Sequence, residues 1–319
     1  MGINKPIELS VKIISAIAAI GYIVYRLVKI PDLGETWSIF INNLEGVNIG
    51  MVVIALFLMP LIWGVEIQKW RFLMSKNYPV PFAKAIRAVL SGLSMALLTP
   101  NRVGEIATRV LVLPPEHRLK AMWLGSLGGL AQIVITLVFG LIGGSFMLVT
   151  TEKVSFSLLQ NNYFIVAIGV LGGGLVLAGY FYLHHIVNWM SKWKWAPLKK
   201  GNFRILKEVN FQDKLVVLGF SALKYCIYLN TFFLIIRICD VPITWAEGLM
   251  SLSIIYLILT FIPMVTLAEV GVRGSVTLMV ISLYANLPVN LLAASLFAWL
   301  LNIAVPSLVG LILLIKVKF

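Results

Sequence analysis

Acidic side chains are scarce in this chain. It holds 13 Asp and Glu against 26 Lys and Arg, and charged residues together fill only 12% of its 319 positions. A soluble domain carries about 25%, so an ordinary water-soluble globule is excluded. Cysteine is almost absent: Cys226 and Cys239 both lie in apolar stretches without metal-ligand neighbours. That excludes a disulfide framework and reads as two buried structural thiols. The three histidines, His117, His184 and His185, fall in basic loops without clustered carboxylates, so no metal site is expected. There is no P-loop, no HExxH, no DxD dyad and no GxSxG. The motifs that would announce phosphoryl transfer, metalloprotease, glycosyl transfer or hydrolase chemistry are missing, so the sequence reads as a non-enzyme without a cofactor.

Apolar residues are what the chain has in excess, at 60%. They come in long runs that do not alternate, which points to membrane-spanning helices and away from a β-barrel. The opening "MGINKPIELSVKIISAIAAIGYIVYRLVKI" lacks a small-residue cleavage site and reads as a retained span over 13–30. Further runs cover 49–66, 121–149, 163–183, 215–236 and 290–315, giving six full spans.

The net charge of +13 sits in the loops between runs, as the positive-inside rule and contact with anionic headgroups require. Nucleic acid is not needed to explain it. The loop with Asp32, Glu35 and Glu45 belongs outside, and the one with Lys69, Arg71, Lys76, Lys84 and Arg87 inside. Both termini are then cytoplasmic, in a multi-pass protein of the inner membrane. From His184 to Lys214 there are seven Lys or Arg, with an amphipathic "WMSKWKW" piece suited to the inner interface. A partner enzyme could dock on that loop.

Two stretches do not read as simple spans. Residues 86–112 form an apolar arm, a break at Thr99-Pro100-Asn101 and a charged arm. Each arm is shorter than the ~20 residues of a full span, so a re-entrant hairpin from the cytoplasm is expected. Residues 244–286 repeat the pattern from outside, with the break near "FIPMVTLAEVGVRGS". Reading the second stretch as two short spans, eight spans in all, gives the same loop sides. Either way the expected fold is an all-α, multi-spanning single domain over 1–319. Its halves, about 49–150 and 215–316, form an inverted repeat with broken helices, as many transporters have.

The breaks also carry the charges. In "TPNRVGEIATRVLVLP", Arg102, Glu105 and Arg109 share one helical face, so Glu105 can pair with either arginine. Pro100 and Asn101 start the second arm, Asn101 as a good N-cap, and the free N–H groups there add partial positive charge. An arginine fork beside a helix N-terminus suits a phosphate. In "LAEVGVRG", Glu269 and Arg273 form another i,i+4 pair, with Gly271 and Gly274 allowing close backbone approach. Lys224, in the middle of "GFSALKYCIYLN", is too deep to reach the surface and needs a partner or ligand. Gly125/Gly129, Gly140/Gly144 and Gly169/Gly173 are small-xxx-small pairs and read as close helix packing.

At both breaks the chain resembles the flippase-like membrane domain of lysylphosphatidylglycerol synthases and their archaeal glycosylation relatives. "PNRVGEIATRVLVL" is similar to that family's P-G-R-x-G-E-x-x-R-x-x-x-L motif through Arg102, Gly104, Glu105 and Arg109, with Asn101 in place of the usual Gly. "LAEVGVRGSVTLMV" is similar to its P-G-G-L-G-V-R-E motif through Gly271, Val272 and Arg273. The acid expected after the arginine is Gly274 here, and Glu269 stands about one turn earlier.

The resemblance implies translocation or binding of a phosphate-bearing phospholipid or polyprenyl-linked lipid. Arg102, Arg109, Arg273 and Lys224 would meet the headgroup, with Glu105 and Glu269 pairing charges or exchanging a proton. The family's synthases carry a soluble acyltransferase-like domain after the membrane part, whereas this sequence stops at Phe319, so aminoacyl transfer is not expected of it. Two alternatives stay open: an ion- or proton-coupled transporter of a small solute, and a non-catalytic membrane subunit of a glycosyltransferase or lipid-modifying system.

Overall fold

The computed structural model describes Gly34, Ser38 and residues 49–99, 103–150, 162–190, 209–262 and 269–315. Among the described residues every regular element is helical. In chain order these are α1 (Ile49–Ser75), α2 (Phe82–Leu98), α3 (Val103–Leu111), α4 (Pro115–Thr150), α5 (Asn162–Phe181) and α6 (Leu183–Met190). Then come α7 (Phe211–Ile238), α8 (Trp245–Phe261), α9 (Glu269–Ile281), α10 (Pro288–Trp299), a π-helical turn (Leu300–Ala304) and α11 (Val305–Ile315).

Among the described residues five helical stretches are long and apolar enough to cross a membrane: Ile49–Ser75, Pro115–Thr150, Phe164–Phe181, Phe211–Ile238 and Pro288–Leu314. Their outward faces are apolar, with Phe57, Leu171, Leu175 and Ile312 more than half exposed. Lipid is the solvent such faces require. This is a helical membrane protein. The expected span at 13–30 and the termini lie outside the described residues.

Local signals explain several helix ends. At α8 the N–H of Thr244 donates to Glu247 Oε2 at 2.8 Å, and the N–H of Glu247 donates to the Thr244 hydroxyl at 3.3 Å. That is a reciprocal capping box. At α7 the Asn210 N–H donates to Asp213 Oδ2 at 3.2 Å. Pro60 lies inside α1, which a membrane helix tolerates when its neighbours supply the lost contacts.

The packing is centred on α1 against α7. Around that pair α8 lies on α4, α11 lies on α2, and α4 also covers α5. Close approach is sealed by hydroxyls: Ser94 Oγ on α2 donates to Ser307 O on α11 at 2.6 Å. At one end of the bundle Lys76 pairs with Asp213 at 2.8 Å, and Lys214 donates to Phe181 O at 2.7 Å.

Both short helices fold back on the helix before them. A Cβ on Gly92 of α2 would lie 2.9 Å from Glu105 O and 3.0 Å from Arg109 Cγ, so α3 runs back along α2 at a spacing only glycine permits. In the second unit Arg273 on α9 lies over the Tyr256 ring on α8 at 5.7 Å.

Several expectations need correction. The second apolar run does not end at residue 66; α1 continues to Ser75, so Lys69 lies inside a buried helix and not in a loop. The first arm of the first break starts at Phe82, four residues before the expected 86, because Pro81 sets the helix start. Cys226 is exposed on α7 and only Cys239 is buried. His117 belongs to α4, while His184 and His185 belong to α6. Gly140 meets Leu257 and Gly169 meets Ser145, as close packing requires, but a Cβ on Gly125 or Gly129 would meet nothing within 4 Å. That last pair borders open space.

Candidate functional site

The open space beside Gly125 and Gly129 is one of two adjoining cavities within the helix bundle. The larger, about 380 Å³, is lined by Glu66, Lys69, Glu105 and Arg109 together with those glycines. The smaller, about 200 Å³, is lined by Trp63, Tyr225, Tyr228, Tyr256, Arg273 and Asn302, among others. Gln132 and Lys224 line both. They join the first break to the second.

Glu66 is the hub of the larger cavity. Its Oε1 accepts from Arg109 Nη1 at 2.8 Å, and its Oε2 lies 2.9 Å from Lys69 Nζ and 2.8 Å from Lys224 Nζ. Three cations thus come from three different helices, α3, α1 and α7. Arg109 uses its second nitrogen, Nη2, to hold Glu105 along its own helix. Lys69 also donates to Ser221 Oγ at 3.4 Å. Lys224 lies 5.3 Å from the Trp63 ring centre, a cation–π contact. Glu66, Lys69 and Arg109 are all less than 10% exposed. Charges at such depth persist only when paired, because an isolated one is expelled or neutralised.

At the second break Arg273 Nη1 donates to Tyr228 OH at 3.0 Å and to Tyr256 OH at 3.4 Å. Among the described side chains at the two cavities, two carboxylates (Glu66 and Glu105) stand against four cations (Lys69, Arg109, Lys224 and Arg273).

The expected site residues fall as follows. Arg109, Glu105 and Lys224 meet through Glu66, and Arg273 reaches the same connected space from the other break. Pro100, Asn101 and Arg102 lie outside the described residues, as does the side chain of Glu269, whose backbone begins α9. The Gly104 N–H at the start of α3 donates to Thr99 Oγ1 at 2.8 Å, so the threonine before the break caps this end. A Cβ on Gly104 would lie 2.7 Å from Met95 O, which explains a glycine there. Gly274 packs against Leu292, and Gly271 is exposed.

Sequence reasoning missed Glu66, the residue that joins the others. Its signal was present in "WGVEIQKW": Trp63, Glu66 and Trp70, at spacings of three and four, form one face of a helix that continues past the apolar run. Asn302 was missed as well. It lies in an apolar run that also holds Ser295 and Ser307, and nothing local marks it.

The fold and the site define a helical membrane protein with a buried, cation-rich polar cluster between two broken-helix units. The chain belongs to the lysylphosphatidylglycerol synthase TM region family, whose model matches residues 13–313. No curated protein matches it. The family places the protein in membrane lipid biology. Its match is to a membrane region, so no chemical activity follows from it.

Proposed function

We propose that this protein binds a phosphate-bearing lipid headgroup at the Glu66–Arg109–Lys224 cluster and carries it between leaflets of the cytoplasmic membrane. The observation behind this reading is the 380 Å³ cavity whose wall holds three cations on one carboxylate, deep in a lipid-facing bundle. A diffuse phosphate charge can share Arg109 and Lys224 with Glu66, and the planar guanidinium can turn a fork toward it. Gly125 and Gly129 leave part of the α4 wall without side chains, and Ile133, exposed in the same helix, also lines the cavity. A headgroup could enter sideways there while its tails remain in lipid.

The helix order fits six full spans, counting 13–30, with α2–α3 and α8–α9 as re-entrant hairpins from opposite faces. Halves at about 49–150 and 215–316 would make an inverted repeat. In support, α8 on α4 is the counterpart of α2 on α11, and the α1–α7 pair is its own counterpart. The ion pair of Lys76 with Asp213 and the nearby Lys214 gather basic residues at one end of the bundle, which supports reading that end as cytoplasmic.

The test is reconstitution into vesicles with fluorescent lipids of several headgroups. Anionic phospholipids should cross faster than in protein-free vesicles, and Arg109→Lys should slow them. Equal rates with and without protein, for every headgroup, would overturn the reading.

A further inference from the structure

Glu66 holds three cations, and they are not held equally. Lys69 is built into the wall: its ammonium also donates to Ser221 Oγ at 3.4 Å and to Gly128 O at 3.5 Å, and its side chain is only 4% exposed. Arg109 is tied by its second nitrogen to Glu105. Among the described residues Lys224 has one hydrogen-bond acceptor, Glu66 Oε2, and otherwise rests against the Trp63 ring. Its side chain is 20% exposed. When Lys224 leaves, Lys69 and Arg109 still neutralise Glu66, so no carboxylate is stranded. Lys224 is the cation this cluster can release.

It also stands where it has somewhere to go. Of the three, only Lys224 lines both cavities, and Gln132 shares that position with it. The smaller cavity holds two amide oxygens that lack a donor. Asn302 is fully buried, and its Nδ2 donates to Ala298 O at 3.0 Å, which fixes which end of the amide is which. Its Oδ1 has no hydrogen-bond partner among the described residues, and neither has the buried Oε1 of Gln132. A buried acceptor left empty is destabilising unless something fills it. An ammonium carries three donors on a flexible four-carbon stem, so it can serve one acceptor and then another. The backbone singles out the same place. Asn302 sits in the π-helical turn Leu300–Ala304 between α10 and α11, and such turns are frequent at functional sites.

We propose that Lys224 is a mobile cation with two seats. In the first its ammonium lies on Glu66, as in this structure. In the second it lies in the smaller cavity, on Gln132 Oε1 and Asn302 Oδ1. An anion in the larger cavity competes with Glu66 for its cations, and Lys224 is the one able to follow it. Anion and ammonium then pass the shared wall as a neutral pair, so neither crosses a low-dielectric space as a lone charge. Asn302 and Gln132 are positioning residues, because they act through Lys224 and not on the anion. The crossing rests on the proposed function; the second seat does not.

Two measurements on the full chain test this. The first is thermal unfolding in detergent without added lipid. The Asn302 oxygen is empty in the unaltered protein, so Asn302→Leu should move the melting temperature by no more than about 2 °C. Glu66→Gln leaves one neutral oxygen for three cations and releases Lys224 to its second seat. In that background Asn302→Leu should cost about 4 °C more than it does alone. The added cost should vanish once Lys224→Met is included. The second measurement is transport of a fluorescent phosphatidic acid in reconstituted vesicles. Asn302→Leu should lower kcat about tenfold and leave KM unchanged, because the anion still docks on the resting cluster. In a Lys224→Met protein the same substitution should slow transport no further.

An Asn302→Leu cost that is equal in both backgrounds, or that persists with Lys224→Met, would overturn the second seat. A kcat loss of the same size with and without Lys224 would overturn it too. Should Glu66→Gln fail to fold, the transport cycle decides by itself. Vesicles with protein that are no faster than protein-free ones would remove the proposed function and the crossing together, and the melting cycle would then decide the second seat.

Discussion

Arg109 at the first break is clasped between two carboxylates, Glu66 and Glu105, while the described partners of Arg273 at the second are the hydroxyls of Tyr228 and Tyr256. Both arginines lie on a short helix that folds back on its predecessor, and both line connected cavities. The contacts compared are ionic at Arg109 and hydroxyl at Arg273. In a medium of low dielectric that difference is large, because removing a charge from a buried pair leaves its partner uncompensated, whereas removing a hydroxyl leaves only a lost hydrogen bond. The two units therefore share a backbone plan, and a carboxylate at the first matters more than a hydroxyl at the second.

The largest expected effect is at the hub. Glu66→Gln leaves Lys69, Arg109 and Lys224 facing one another, and should lower stability by about 3–5 kcal/mol, as for a broken buried ion pair. Thermal unfolding of the purified protein in detergent, followed by light scattering, measures it. Combining Glu66→Gln with Lys224→Met should recover part of the loss, because one uncompensated charge goes with the other. A Glu66→Gln protein as stable as wild type would show that the first break does not depend on its ion cluster.

A smaller loss is expected for Arg109→Lys. A single ammonium cannot hold Glu66 and Glu105 in the same fork, so one of the two charged contacts goes, worth on the order of 2 kcal/mol. Lipid translocation should fall by a larger factor than stability alone would explain, which a side-by-side melting and transport measurement would reveal. If Lys supports full transport, Arg109 contributes charge and not geometry.

The smallest effect belongs to the second break. Tyr256→Phe keeps the ring beneath Arg273 and removes its long hydrogen bond and the hydroxyl contact with Tyr228, so it should change stability by about 1 kcal/mol. A loss as large as that of Glu66→Gln would mean that the second unit is as tightly coupled as the first, and the contrast between them would disappear.

Much of the candidate site was legible because charge is so rare here. In a chain with 13 acids, any Glu or Arg inside an apolar stretch stands out, which is how Glu105, Arg109, Lys224 and Arg273 were singled out. Glu66 and Lys69 escaped for the opposite reason. They sit where an apolar run meets a basic segment, and hydropathy places such residues in a loop even when the helix goes on. The Gly125/Gly129 pair was misread because its spacing is the same whether a neighbouring helix or a void faces it.

The sequence by itself determined the class. Long apolar runs oblige the backbone to satisfy its own hydrogen bonds, and helices do so within one segment, so spans and breaks are local properties that composition and proline can announce. It also determined that charges lie at both breaks. Which charges meet is not local. Glu66 binds Lys224 across 158 positions of chain, and only the packing of α1 on α7 brings them to 2.8 Å. The same packing left the Asn302 oxygen without a partner beside the aromatic walls. Contact and vacancy between helices depend on how faces pack, and neither leaves a period in the sequence.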